Sequence, residues 1–229
     1  MDLIAALPKA LRQWGSEYLR RRGFGPTFTR DRVDEIWIDV GAHLGQDTLD
    51  AAIKNPRLLV FAFEPNWALA RQIMARAANF VVLPMAVSDK DGIAEFFICA
   101  DDTSSSLAPM EESGLEHWKD LDTTVQRQAI VPTIRLDTFL RAAGLHTVDY
   151  LKVDAEGLDL RVVESAGGRL KDIRKIKLEV DTTPHRLFRG APGHDEVVSF
   201  FITHNFELVK TEAQGGGRQE NLTFVQRRK

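Results

Sequence analysis

The sequence predicts an α/β fold, a mostly parallel sheet with helices on both faces. Three observations carry this prediction. Short, continuously apolar runs alternate with segments of helical length, a glycine turn follows the first of those runs, and the chain closes on two strands around three consecutive glycines. A strand that is apolar throughout is buried on both faces, and that is the environment of a parallel sheet.

The elements follow in order. Leu3, Ile4, Leu7, Leu11, Trp14 and Tyr18 recur at helical spacing, so an N-terminal helix is expected, kinked or divided at Pro8. It ends at Arg20-Arg21-Arg22 before Gly23, where cations favour a helix C-terminus. Packing across the domain, a homodimer contact and a membrane-surface role all fit such a helix. Ile36–Val40 reads as the first strand, followed by a helix to about Ile53. Leu58–Phe63 is the second strand, with a helix to about Ala78, and Phe80–Val87 is the third. Ala94–Ala100 is a further strand. Residues 101–124 are polar and weakly patterned, and a loop of that length is usually a lid, a binding loop or partly disordered. Ile130–Ile134 is extended and Leu136–Ala143 helical. The alternation resumes with a strand at Val148–Val153, a helix from about Leu158, a strand at Ile176–Val180 and a helix over about Asp195–His204. Phe206–Lys210 and Leu222–Val225 flank Gly215-Gly216-Gly217 as a C-terminal β-hairpin.

Composition narrows the function classes. The 229 residues are 44% hydrophobic and 28% charged, with a formal net charge of −3, so no bulk field draws in nucleic acid or an anionic membrane. The one cysteine, Cys99, excludes an internal disulfide and a cysteine metal cage. It fits a reducing compartment, and equally a secreted protein without bridges. No apolar stretch approaches the roughly 18 residues that span a bilayer, and Lys9 and Arg12 interrupt the first apolar run, against a signal peptide. A cytoplasmic location is the expectation.

The turn after the first strand is Asp39-Val-Gly41-Ala-His43-Leu-Gly45. A P-loop would continue Gly-Lys-Ser/Thr, and a dinucleotide turn would read G-x-G-x-x-G. Here the glycines are spaced differently, and Asp39 stands where a pyrophosphate would be repelled. An acid suits a ligand with positive charge, such as the ammonium and sulfonium of S-adenosylmethionine. Glu64, in Phe63-Glu64-Pro65, ends the second strand nineteen residues after Gly45, where an acid can accept from both ribose hydroxyls. Ser88-Asp89 follows the third strand; it either flanks an adenine or is an ordinary turn.

Ile38–Gly45, Phe61–Pro65, Ala86–Asp89, Leu136–Phe139 and Asp149–Gly157 (DYLKVDAEG) together resemble the FkbM-type methyltransferases, from about residue 36 to 226. The resemblance implies a class I, Rossmann-like methyltransferase fold with seven strands, one of them antiparallel, over residues 31–229, with residues 1–30 as a helical extension. It implies S-adenosylmethionine as cofactor, held by Asp39, Gly41, His43, Gly45, Glu64, Pro65, Ser88, Asp89 and Asp154. It also implies O-methyl transfer to a small hydroxylated acceptor such as a sugar or glycoside. In the family a serine segment like Thr103–Leu107 approaches the cofactor side of the pocket.

A hydroxyl acceptor needs a general base or a metal ion to shed its proton, and ligands of open α/β sheets lie beyond the carboxyl ends of the strands. Asp154 and Glu156 stand at such an end; Glu156 is alternatively a helix-start residue. Lys152 alternates with Asp154 and could pair with a carboxylate. Glu179 and Asp181 share a face of the next strand, so Asp154, Glu179 and Asp181 form a candidate Mg²⁺ set. His185, in Thr182-Thr-Pro-His185, and His43 are the candidate histidine bases, each with a plain packing or surface alternative. Trp118 either stacks on a sugar or anchors the loop. Methylation of RNA or protein is the rival activity, kept open by Arg20–Arg22 and Arg227–Lys229 although no nucleic acid partner is expected. A non-catalytic S-adenosylmethionine-binding module is the rival outside enzymes.

Overall fold

The computed structural model describes residues 33–227, so the expected N-terminal helix lies outside the described residues. Ten strands and six α-helices follow. In chain order they are β1 Glu35–Val40, α1 Gln46–Lys54, β2 Leu58–Phe63, α2 Trp67–Ile73, β3 Phe80–Leu83, β4 Ala86–Val87 and β5 Gly92–Cys99. Then come α3 Glu112–Leu115, β6 Val125–Ile134, α4 Leu136–Ala142, β7 Tyr150–Val153 and α5 Asp159–Glu164. The chain ends on β8 Lys175–Asp181, α6 His194–Thr203, β9 Phe206–Gln214 and β10 Gln219–Gln226.

Seven strands form the main sheet, in the order β3-β2-β1-β7-β8-β10-β9. The first five pair in parallel, and β10 runs antiparallel to both β8 and β9. This is the class I methyltransferase arrangement, hairpin included. Alternate residues of the apolar runs serve opposite faces, which is why the runs are continuous. Ile38, Val40, Leu151, Val153, Ile176 and Leu178 pack on one side with Leu140, Val163 and Phe201 from α4, α5 and α6. Val60 and Ala62 pack on the other with Leu49 and Ala52 of α1. Deleting one such buried Leu or Phe side chain costs about 2–5 kcal/mol.

The third predicted strand is not one element. Pro84 lacks an N–H and interrupts it, Met85 N–H turns back to Leu83 O at 2.8 Å, and β4 leaves for a second sheet of three strands, β4-β6-β5. β5 runs antiparallel to β6 over its length. The helix expected to about Ala78 stops at Ile73, and Ala75 has a positive φ of 60°.

The polar stretch 101–124 is ordered by several short devices. A 3-10 turn covers Asp102–Ser104, α3 follows, and Trp118 is buried against Ala108, Leu187 and Phe188. Arg218 of the hairpin lies over the Trp118 ring at 4.3 Å and grips Asp120 through two nitrogens at 2.6 Å. Trp118 is therefore the loop's anchor. No described helix is long and apolar enough to cross a membrane.

Candidate active site

A cavity of about 300 Å³ opens at the carboxyl ends of β1, β2, β7 and β8. Its first wall is the turn after β1. Asp39 is buried and already partnered, accepting from the Thr48 hydroxyl of α1 and from Lys152 Nζ at 3.2 Å. Gly41 has φ +71°, and a Cβ on it would lie 1.8 Å from the Asp154 carbonyl oxygen. Only glycine fits there, because the turns after β1 and β7 meet backbone to backbone. Gly45 caps α1 and does not line the cavity.

Glu64 forms the second wall. Its carboxylate accepts His43 N–H at 2.8 Å and Asn66 N–H at 2.7 Å, one on each oxygen. Burial pushes the carboxyl above its ordinary value against the pull of those two donors. Each oxygen keeps a lone pair for a ligand hydroxyl. Pro65, Ala86 and Val87 continue the wall. Ser88 and Asp89 do not: Ser88 N–H is committed to Ile134 O at 2.9 Å, and the Asp89 carbonyl accepts from Arg135 at 2.8 Å.

His43 adopts a positive φ of 48° and lines the cavity. Its Nε2 meets Asp102 Oδ1 at 2.8 Å, and its Nδ1 faces Gln46 Nε2 at 3.2 Å. Both ring nitrogens are thus partnered within the chain. The loop supplies a roof, with Thr103, Ser105, Ser106 and Leu107 at the cavity. Ser106 Oγ donates to the Glu156 carbonyl at 2.7 Å and accepts Ala108 N–H at 2.9 Å.

The third wall is carboxylic. One oxygen each of Asp154, Glu156 and Glu179 lie within 4.8 Å of one another. Adjacent parallel strands β7 and β8 bring Asp154 beside Glu179, and the left-handed Glu156-Gly157 turn, with φ 48° and 86°, folds Glu156 back towards them. At Gly157 a Cβ would strike the Phe188 side chain at 2.4 Å. Lys152 Nζ reaches Asp154 at 3.3 Å. Burial alone would lower the Lys152 ammonium, but Asp39 and Asp154 outweigh it and hold it above its ordinary value.

Two expected site residues lie apart from this wall. Asp181 shares the face of Glu179 but sits a further two residues along β8; it is not in the carboxylate group. The Leu187 N–H and the Gln219 side chain hold its carboxylate, with the Arg186 charge nearby. His185 is exposed, stacked on His117 at 3.6 Å, and does not line the cavity. Residues that the sequence reading passed over are Lys177, Gln214 and Asn221, which extend the cavity over β8, β9 and β10. Buried Asp159 was also missed; it accepts Ala155 N–H at 3.3 Å beneath the cluster.

Lys152 offsets only part of this wall's negative charge. Burial, then the charge of Asp154, push Asp159 up to about 7. Burial, then Asp154 and Asp159, push Glu179 up to about 9. Burial with Asp154 and Glu179 likewise raises Glu156 well above the carboxyl range. These groups hold protons more tightly folded than unfolded. The stability they contribute is complete below their ordinary values and is lost as pH rises through about 7 for Asp159 and about 9 for Glu179. The melting temperature of the ligand-free protein is accordingly expected to fall between about pH 5 and about pH 9, and a level profile would contradict the assignment.

The model of the Methyltransferase FkbM domain matches residues 39–208. The chain belongs to the FkbM methyltransferase family. Its class I fold and S-adenosylmethionine dependence follow. Among the relatives of this FkbM-family protein is the 2-O-methyltransferase NoeI of Sinorhizobium fredii (strain NBRC 101917 / NGR234). It is 25% identical over 196 residues, which are 81% of this chain and 77% of NoeI. The 31-O-demethyl-FK506 methyltransferase FkbM of Streptomyces tacrolimicus is 27% identical over 203 residues, 78% and 75% of the two chains. Among solved structures, the magnesium protoporphyrin IX methyltransferase ChlM of Synechocystis PCC 6803 with bound SAM aligns at a TM-score of 0.45 and 8% identity, covering 99% of this chain and 98% of ChlM.

Proposed function

We propose that this FkbM-family methyltransferase carries out O-methyl transfer to a hydroxyl of a small acceptor, a sugar or glycoside. The reading is carried by the cavity's carboxylic wall, where Asp154, Glu156 and Glu179 converge within 4.8 Å and an acceptor hydroxyl can lose its proton. The O-methyltransferase names of NoeI and FkbM support it. S-adenosylmethionine supplies an electrophilic methyl carbon on a cationic sulfur, open to in-line attack.

The chain's own residues do the rest. Glu64 takes the ribose hydroxyls on the lone pairs its two backbone donors leave free, and Ala86 and Val87 bound the adenine. The turn at Gly41 and the acid Asp39 face the positively charged methionine end. Asp154, ion-paired to Lys152 and 42% exposed at its side chain, takes the hydroxyl proton. Glu179, pushed up to about 9 by burial and the charges of Asp154 and Asp159, stays neutral near pH 7 and donates a hydrogen bond, a use of buried carboxylic acids with precedent in other enzymes; burial and the charge of Asp154 raise Glu156 in the same direction. His43 serves as a strut between Glu64 and the loop.

The same three oxygens fit a hard divalent cation such as Mg²⁺, and Asp154, Glu156 and Glu179 would be its ligands in place of Asp181. There it would polarise the acceptor oxygen. Methyl-labelled cofactor offered over a panel of glycosides, with and without chelator, tests both readings. Label on an acceptor oxygen is expected; label confined to nitrogen or carbon, or to RNA or protein, overturns the proposal. Loss of activity in chelator, reversed by Mg²⁺, gives the carboxylates to a metal, whereas undiminished activity leaves the proton with Asp154.

A further inference from the structure

The sheet register sorts charge into rows across the face that bears the cavity. Asp154, just beyond the end of β7, follows the last β7–β8 pair, Val153–Leu178, as Glu179 does on β8, and Glu179 lies opposite Asn221 of β10, which faces Glu212 of β9. One row nearer the strand starts, Lys152 lies beside Lys177, then Thr223 and Lys210. Like charges side by side on neighbouring strands are unfavourable, so both rows call for counter-charge.

Most of that demand is met within the chain. Lys152 has Asp39 and Asp154, and Lys210 has Glu212 at 2.8 Å. Lys177 is different. It lines the cavity; among the described residues no ion pair or side-chain hydrogen bond engages its ammonium, and the Glu212 carboxylate whose charge it feels is already held by Lys210 at 2.8 Å. The same cavity wall continues with Asn221, one step along β10 on that face, and Gln214, further along β9; their amides both donate and accept and so match hydroxyls.

Resting on the proposed O-methyl transfer, we infer that the acceptor is an anionic sugar, bearing a carboxylate or a phosphate, and that Lys177 binds this group while Asn221 and Gln214 read neighbouring hydroxyls. The acidic row then faces the cationic methyl donor, and Lys177, alone of the lysine row, faces the anion.

The test uses the whole protein saturated with S-adenosylhomocysteine, so that no turnover is needed. Calorimetric titrations compare glucose, glucuronate and glucose 6-phosphate, and the matching galactose series. The uronate or the phosphate is expected to bind about tenfold or more tighter than its neutral counterpart, the worth of one charge-assisted hydrogen bond. The two anionic arms tell carboxylate from phosphate. Lys177→Gln should erase that preference and Lys177→Arg keep it, both binding S-adenosylhomocysteine as the parent does. Equal binding of neutral and anionic sugars, a preference that survives Lys177→Gln, or no binding by any sugar overturns the inference. Since S-adenosylhomocysteine affinity is read in the same titrations, and O-methylation in the glycoside panel, failure here is distinct from failure of the proposed activity.

Discussion

Glu64→Ala is expected to weaken S-adenosylmethionine binding by roughly 10²–10⁴-fold, the loss of two hydrogen bonds to a charged acceptor at about 1.5–3 kcal/mol each. The effect should be large because Glu64 is already buried and aimed. Its two oxygens are fixed by His43 N–H and Asn66 N–H, so little ordering cost remains when a ribose arrives. The substitution also strands those two donors, and a lower melting temperature should accompany the lost affinity. Glu64→Gln separates the two effects: an amide oxygen can satisfy one backbone donor, but its NH₂ faces the other. Calorimetry with S-adenosylhomocysteine makes the measurement, and an affinity unchanged in Glu64→Ala would remove Glu64 from the cofactor site.

Asp154→Asn is expected to act on turnover. Losing a positioned proton acceptor costs about 10²–10⁴-fold in rate. Cofactor affinity should stay within about threefold, because the change removes an interaction made chiefly in the transition state. The fold should tolerate it: Gly41 packs on the Asp154 backbone carbonyl, not its side chain, and Lys152 keeps Asp39 at 3.2 Å. Rapid-quench turnover beside S-adenosylhomocysteine titration checks the split. A normal rate clears Asp154 of the proton transfer, and a matched loss of rate and cofactor affinity makes it a cofactor ligand instead.

Much of the fold was legible because burial on both sheet faces writes itself into sequence. Ile36–Val40, Leu58–Phe63 and Ile176–Val180 could hardly be anything but interior parallel strands, and they are β1, β2 and the middle of β8. The second sheet was less visible. Ile93 and Ile130 are exposed, so β5 and β6 carry no clean two-residue alternation, and only Pro84 hinted that the third strand divides. Within the site, alternation fixed the face that Glu179 and Asp181 share but not which of them stands level with Asp154. That depended on inter-strand stagger. Glu156 reaches the cluster through a left-handed turn, which a non-glycine residue rarely adopts and no periodicity announces. His185 lies outside the cavity, stacked on His117, a partner distant in sequence that no local pattern announces. The same alternation that exposed Glu179 would have found Lys177, two residues earlier on the same face.

His43 joins the Glu64 wall to the segment over the cavity. Its backbone N–H holds the Glu64 carboxylate, and its ring holds Asp102 in the segment over the cavity. With Glu64 as the proposed ribose ligand, loop position and cofactor affinity become linked thermodynamic quantities, and linkage is reciprocal. Whatever factor a seated loop adds to cofactor affinity, bound cofactor returns to the loop. An acceptor whose contacts favour the seated loop would by the same linkage raise cofactor affinity.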